Sequence, residues 1–361
     1  MNTKELYSVL EHFDFESDAK VYGNGHINET YIVDPKYIVQ KINTKVFKEP
    51  DKLMDNIIAV TSFLQKKIVQ EGGNPARETL TIIPTSEGHK FYKKDNENCY
   101  RCYEAISNTF SIETVENPHD LYEAAKAFAL FQKRLADFPA EELSETIKDF
   151  HNTPKRFNDL LQAIEKDEMG RAKNVKEEIE FALSQKDWIN AVTDGLSDGS
   201  IPLRVTHNDT KINNVLFDNA TRRAICVIDL DTVMPGSLLY DFGDALRIGA
   251  ASGEEDEVDI SKIFFRLDCF EAFVKGFAEE MGDNLTQREV ELLALSAKLL
   301  TYECGIRFLT DYLNGDTYFK IHRENHNLDR CRTQFKLVRD MDEKMDEMNK
   351  IVKKYFANEQ N

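Results

Sequence analysis

The densest run of polar side chains in the chain is His207-Asn-Asp-Thr-Lys-Ile-Asn-Asn214, and Ile228-Asp-Leu-Asp231 follows it closely. Asp209 and Asn214 stand five residues apart. On a loop of that length a carboxylate can face a hydroxyl acceptor and take its proton, while an amide reaches back to a divalent cation carried by a phosphate donor. Lys211 would offset charge on the group in transit. Asp229 comes fifteen residues after Asn214, directly after a strand-like run, and is the second candidate ligand for Mg²⁺. The chemistry this set suits is phosphoryl transfer, with Asp209 as base. His207 is expected to orient the loop, because the carboxylate is already placed for proton abstraction. Asp241-Phe-Gly243 spells another metal-binding tripeptide, but it lies 27 residues past Asn214, where a helix begins. Asp241 is therefore expected to brace the loop by hydrogen bonds, and Asp231 to support or bridge the metal. Either short motif alone is commonly a helix cap or a solvated turn; the weight lies in their joint occurrence around a hairpin.

Those groups need elements to carry them. Residues 203–206, 214–217 and 224–228 read as extended, with a turn at 218–223. Around them the periodicity is helical, at 119–137, 154–165, 174–186, 260–281, 286–313 and 327–356. The first hundred residues differ. A helix over 3–13 precedes a hairpin of 29–33 and 37–42, then a helix over 53–69 stopped by Gly72-Gly73-Asn74-Pro75, then strand character at 79–83, 90–93 and 98–106. The expected plan is α+β and bilobal: a small β-rich N-lobe over 1–106 that binds nucleotide, and a large, mainly helical C-lobe over 107–361 with the catalytic loop and the acceptor pocket.

In the small lobe, Gly23 and Gly25 of Tyr22-Gly-Asn-Gly-His-Ile-Asn28 would let backbone N–H groups approach phosphate, although a simple turn explains them equally well. Where the plan resembles that of protein kinases, a strand lysine against the phosphates of ATP is implied, and Lys41 is the candidate. Alternation puts Gln40 on the opposite face, and which of the two looks toward the nucleotide stays open. Asp55 is a guess for the helical acid that would pair with it. The segment from Glu104 to Ile106 suits a connector whose main chain bonds adenine.

The chain has 361 residues, 41% hydrophobic and 30% charged, enough to bury a substantial core. A net charge of −18 disfavours nucleic acid and anionic membrane as partners. No apolar run approaches the roughly 18 residues that span a bilayer, and 1–13 lacks the pattern of a secretory leader, so a cytoplasmic location is expected; a monomer is expected as well. Six thinly spread cysteines make no disulfide framework. Cys99 and Cys102 fall on opposite faces of one strand and read as packing residues.

H-x-D-x-K-x-x-N followed by a hairpin and Ile-Asp resembles the protein-kinase catalytic loop. With Tyr22–Asn28, 199–211, 228–237, 240–244 and Glu303-Cys-Gly-Ile-Arg-Phe-Leu309, nearly the whole chain resembles the N-acetylhexosamine 1-kinases, within the aminoglycoside phosphotransferase and choline kinase superfamily. The resemblance implies a protein-kinase-like fold and ATP- and Mg²⁺-dependent phosphorylation of the C1 hydroxyl of N-acetylglucosamine or N-acetylgalactosamine. It also implies sugar contacts from His26, Asp209, Arg307 and Tyr318. On residue types alone, Glu303, Arg307 and Asp311 would form a surface ion-pair stripe, His26 a loop histidine and Tyr318 a packing aromatic. With the resemblance, Glu303 and Asp311 are expected to hold the Arg307 guanidinium toward the sugar. The competing readings are a kinase of the same fold for an aminoglycoside, choline or homoserine, a glycosyltransferase using Asp229-x-Asp231, and an inactive nucleotide-binding scaffold.

Overall fold

The computed structural model describes residues 3–16, 18–23 and 28–356; Gly25 and His26 lie outside the described residues. The chain divides into two compact units, one formed by Met1–Ser111, Arg134–Lys148 and Asn214–Pro235, the other by Ile112–Lys133, Asp149–Asn213 and Gly236–Asn361. Element order begins α1 (Thr3–Glu11), β1 (Ala19–Val21), β2 (Glu29–Val33), β3 (Tyr37–Lys41), α2 (Pro50–Gln70), α3 (Pro75–Glu78), β4 (Ile82–Ile83), β5 (Tyr92–Lys93), β6 (Cys99–Glu104) and β7 (Thr109–Phe110). It continues with α4 (Pro118–Arg134), α5 (Thr153–Lys166), α6 (Lys176–Ser184), α7 (Ala191–Asp198), β8 (Arg204–Thr206), β9 (Val215–Asp218), β10 (Ala224–Val227), β11 (Met234–Gly236), α8 (Leu238–Gly249), α9 (Leu267–Met281), α10 (Gln287–Leu313) and α11 (His326–Phe356). The result is the expected mixed architecture, a small antiparallel-sheet unit and a larger helical one.

In the first unit the strands are ordered β1-β2-β3-β6-β4, with β5 also on β6, and every pairing is antiparallel. Tyr31, Val33, Val39, Tyr100 and Cys102 share one face of this sheet, because side chains alternate along each strand. They bury Leu6, Val9 and Leu10 of α1 and Phe13 in the turn after it. Cys99, Arg101 and Tyr103 take the other face, so the two cysteines separate as expected, both buried and unbridged. The hairpin of β9 and β10, which the sequence placed with residues 107–361, is grouped with the β-rich unit because β9 pairs with β7 and Asp218 pairs with Arg77 at 2.8 Å.

In the second unit α10 is buried nearly all round, which a helix with apolar residues on every face requires. Its start is set by a capping box, with Thr286 and Glu289 each bonding the other's backbone N–H. The helix expected over 260–281 begins only at Leu267. Ile263 and Phe265 run extended, and the Phe265 N–H donates to the Asp340 carboxylate at 2.6 Å. Among the described residues no helix is long and apolar enough to cross a membrane.

Gly243 sits where α8 crosses α10. A Cβ built there would stand 2.3 Å from the Ser296 carbonyl oxygen, so this glycine serves helix contact. Gly243→Ala should lower stability by about 1–3 kcal/mol through overpacking, read as a shift in the urea midpoint at unchanged slope.

Candidate active site

The catalytic-loop candidate lies in the second unit, between β8 and residue 213. Its backbone is held from α8. The Asp241 carboxylate accepts the N–H of His207 at 3.0 Å, the N–H of Asn208 at 2.7 Å and the Gln132 side-chain amide at 2.5 Å. Asp244 accepts the Thr210 N–H at 3.1 Å, and the Thr210 hydroxyl donates to the Asp241 carbonyl at 2.6 Å. Asn208 has φ +67°, a left-handed conformation that asparagine tolerates. Asp241 thus braces the loop, as its position at the start of a helix suggested. Burial pushes its carboxyl pKa up, and the hydrogen bonds only partly offset that.

Asp209 and Lys211 form an ion pair at 2.8 Å. Burial would raise the Asp209 pKa, but Lys211 and the charges behind it bring it below the usual value, and Asp209 in turn raises Lys211. The pair is set for a carboxylate ionised at neutral pH. His207 is fully buried, its ring edge-on to Phe128 and Phe131, and its Nδ1 accepts the Asp209 N–H at 3.2 Å. Its place is structural, aiming residue 209. Arg247 is a buried ion-pair residue, bonded to Asp244 at 3.0 Å and Glu255 at 2.7 Å.

One contributor carried no clear sequence signal. His151 places Nδ1 at 2.8 Å from the Glu303 carboxylate and Nε2 at 3.0 Å from the Asn208 carbonyl. With the Glu303 carboxylate and the Asn208 carbonyl both acting as acceptors, the arrangement favours a proton on each ring nitrogen and so a positive charge. Burial works against that charge, yet Glu303 holds the His151 pKa above its ordinary value, while His151 holds Glu303 below its own.

The two metal candidates lie in the first unit, at the open end of the β9–β10 hairpin. The Ile228 N–H donates to the Asn214 carbonyl at 2.9 Å, which sets residue 229 beside residue 214. Asp229 adopts φ +60° and opens a short turn over Leu230–Thr232. An amide oxygen and a carboxylate are hard donors that suit Mg²⁺, which completes its shell from waters and phosphate oxygens. Among the described residues, no group of three or more His, Cys, Asp and Glu is arranged to hold a metal alone.

On the inner sheet face, Gln40 and Arg101 stand directly opposite each other. The Gln40 carbonyl oxygen accepts from Arg101 Nε at 3.0 Å and Nη2 at 2.8 Å. Arg101 is 1% exposed and meets Asp231 at 2.5 Å. Burial opposes its charge, and Asp231 more than restores it. Asp231 also accepts from Asn28 at 2.7 Å, tying the end of the glycine-rich segment to the turn after Asp229. Lys41, expected against the phosphates, is on the other face with Tyr100, its Nζ 5.8 Å from the ring centre. Strand alternation leaves no other outcome once Gln40 faces inward. Asp55, the guessed partner acid, pairs instead with Lys90 at the surface. The one clue to Arg101 was a lone charge inside Cys99-Tyr-Arg-Cys-Tyr103.

In the connector, the Glu104 N–H donates to the Thr81 carbonyl at 2.9 Å, and the Ile106 carbonyl accepts the Thr109 hydroxyl at 2.7 Å. Gly23 has φ +72°, a left-handed turn that favours glycine. In the second unit, Arg307 lies over Phe150 and Phe319 at 5.6 Å and over Tyr318 at 6.0 Å. Asp311, expected to hold it, is occupied: its oxygens accept the N–H groups of Thr317, Tyr318 and Phe319 at 2.8–2.9 Å. Short loop N–H groups outcompete a long side chain for that carboxylate. Arg307 and Tyr318 do line one cavity between α5 and α10.

Two outcomes follow. His151→Gln should lose on the order of 3 kcal/mol by stranding Glu303. Because the folded-state pKa of His151 is raised and that of Glu303 lowered, that stabilisation is complete between the ordinary glutamate range and about pH 6.5, fades as pH climbs through the raised His151 value, and is lost again as pH falls through the lowered Glu303 value. Melting temperature against pH for both proteins should converge on the alkaline side. Arg101→Met should cost about 3–5 kcal/mol by leaving Asp231 unpaired, and Arg101→Met/Asp231→Leu should recover much of the loss in denaturant titrations.

Several solved structures share this fold. A microcompartment-associated aminopropanol kinase aligns over 96% of this chain and 99% of its own at 15% identity, TM-score 0.65. An aminoglycoside phosphotransferase from Alicyclobacillus acidocaldarius aligns over 96% of each chain at 13% identity, TM-score 0.58. Spectinomycin phosphotransferase in complex with ADP and spectinomycin aligns over 100% and 99% at 15% identity, TM-score 0.57. Residues 18–269, which include the sheet, the loop at 207–214, the hairpin and α8, match the phosphotransferase enzyme family APH. The chain belongs to that family of small-molecule phosphotransferases.

Proposed function

We propose that this phosphotransferase is an ATP-dependent anomeric kinase that transfers the γ-phosphoryl group to the C1 hydroxyl of N-acetylhexosamines. The observation that carries the kinase chemistry is the Asp209–Lys211 pair at 2.8 Å on a loop whose N–H groups are bound by Asp241 and Asp244. The acceptor class rests on the sequence resemblance at Arg307 and Tyr318, which share a cavity.

In this reading Asp209 orients the C1 hydroxyl and takes its proton as the bond to phosphorus forms. Lys211 keeps Asp209 ionised and offsets charge on the transferred group. Asn214 and Asp229 would hold Mg²⁺, which would supply positive charge against the donor phosphates. Arg101 and Gln40 fix Asp231 and so the turn that carries Asp229. Gly23 approaches phosphate with its backbone, and the main chain of Glu104 and Ile106 reads adenine. His26 would reach the sugar from the glycine-rich segment. A glycosyltransferase metal site at 229 and 231 is disfavoured, because Asp231 is buried and committed to Arg101 and Asn28, and that reading leaves the braced loop from His207 to Lys211 without work.

Asp209→Ala should reduce kcat by about 10²–10⁴-fold with acceptor KM changed little. The check is ATP consumption with N-acetylglucosamine and N-acetylgalactosamine, the phosphate position being read by phosphorus NMR. Near-normal turnover in Asp209→Ala, or phosphate at another carbon, would reject the assignment.

A further inference from the structure

The cavity between α5 and α10 has a volume of about 320 Å³, and Arg156, Asp159, Lys166, Arg307, Asp311 and Tyr318 are on its wall. Three cations face two carboxylates, and neither carboxylate is committed to the arginines. Asp311 has one oxygen on the Thr317 and Tyr318 N–H groups and the other on the Phe319 N–H and the Asn327 amide, all at 2.8–2.9 Å. Asp159 bonds Lys155 at 2.7 Å and comes only to 3.9 Å from Arg156. Arg156 donates from Nη2 to the Phe150 carbonyl at 3.2 Å, while its Nε is buried and meets no acceptor. Arg307 lies over three aromatic rings. Burial and then the field of Arg307 pull the Arg156 pKa down, so the two guanidiniums sense one another. Tyr318, 68% exposed, leaves the cavity open to entering molecules.

A buried N–H without a partner is costly, and two guanidiniums in one another's field are stabilised by an electron-rich oxygen. The same wall repels an ammonium group. We propose that Arg156, acting with Arg307, is a specificity-determining residue that receives a carbonyl, hydroxyl or carboxylate oxygen of the acceptor and rejects acceptors carrying a free ammonium at that position. This rests on the placement of the acceptor at Arg307 and Tyr318 given above. Acylation of an amine removes the charge and supplies a carbonyl, so the filter would separate an N-acetylated sugar from its free amine.

The test is steady-state kinetics with ATP and Mg²⁺ on N-acetylglucosamine, glucosamine below its amine pKa, glucose, glucuronate, kanamycin and choline. For the unaltered protein, kcat/KM on the best acceptor without an ammonium should exceed that on any ammonium acceptor by tenfold or more. Arg156→Gln should raise the KM of that acceptor about tenfold and leave the KM of ATP unchanged, and Arg156→Glu should narrow the gap between N-acetylglucosamine and glucosamine. An ammonium acceptor used within a few-fold of the best, or an Arg156→Gln protein with unaltered acceptor KM, overturns the inference. If Arg156→Glu does not fold, Arg156→Gln decides alone. Transfer to glucuronate or glucose with none to N-acetylhexosamines would sink the proposed acceptor and keep the filter. Equal use of N-acetylglucosamine and glucosamine would do the reverse, and no transfer to any acceptor removes both.

Discussion

A charge taken out of water must meet an opposite charge or a full set of hydrogen bonds, or the fold loses several kcal/mol for it. Each part of the candidate site is arranged by that constraint. In the β-rich unit, Arg101 is answered by Asp231 and by the Gln40 amide oxygen. In the helical unit, Asp241 is answered by two loop N–H groups and an amide, His151 by Glu303, and Arg247 by Asp244 and Glu255. Apart from the local contacts of Arg247, these partners are distant in sequence, so satisfying the charge brings separate segments together.

For catalysis the effect is rigidity. Groups that act on developing charge are most useful when already aimed, because no reorganisation is then needed during the reaction. The Asn208 peptide is held at its N–H by Asp241 and at its carbonyl by His151, and the next residue is Asp209. Both clamps come from helices, α8 for Asp241 and α10 through Glu303 for His151, and α10 also carries Arg307. The β-rich unit applies a different economy. It draws its buried cation from β6 where the sequence pattern suggested β3, and commits it to the turn after Asp229.

Much of this was legible in advance, for identifiable reasons. Long helices with strong periodicity, such as 287–313 and 326–356, matched within a residue or two, as did the β2–β3 and β9–β10 hairpins. The rejection of Asp241-Phe-Gly243 as a metal motif followed from spacing, and the structure supplies the alternative use of each residue: a brace, a core ring and a close helix crossing. What spacing could not yield was pairing between distant positions. Gln40 against Arg101, His151 against Glu303 and the loop N–H groups against Asp311 all depend on tertiary approach. The break before α9 arose because an apolar run at 263–265 scores as helix, while in the fold Ile263 and Phe265 are buried in extended form and Phe264 faces solvent.

The β9–β10 hairpin separates two jobs by distance along its strands. Its open end is fastened where the Ile228 N–H meets the Asn214 carbonyl, beside both metal candidates. Its closed end is a turn in which Asp218 binds the Ala220 and Thr221 N–H groups and Arg77, and the Asn219 N–H donates to the Asn108 carbonyl at 3.0 Å, with the side chains of 219–222 exposed to solvent. An added peptide or crosslinking handle is therefore best placed among the exposed residues 220–222, a full strand length away from both metal candidates.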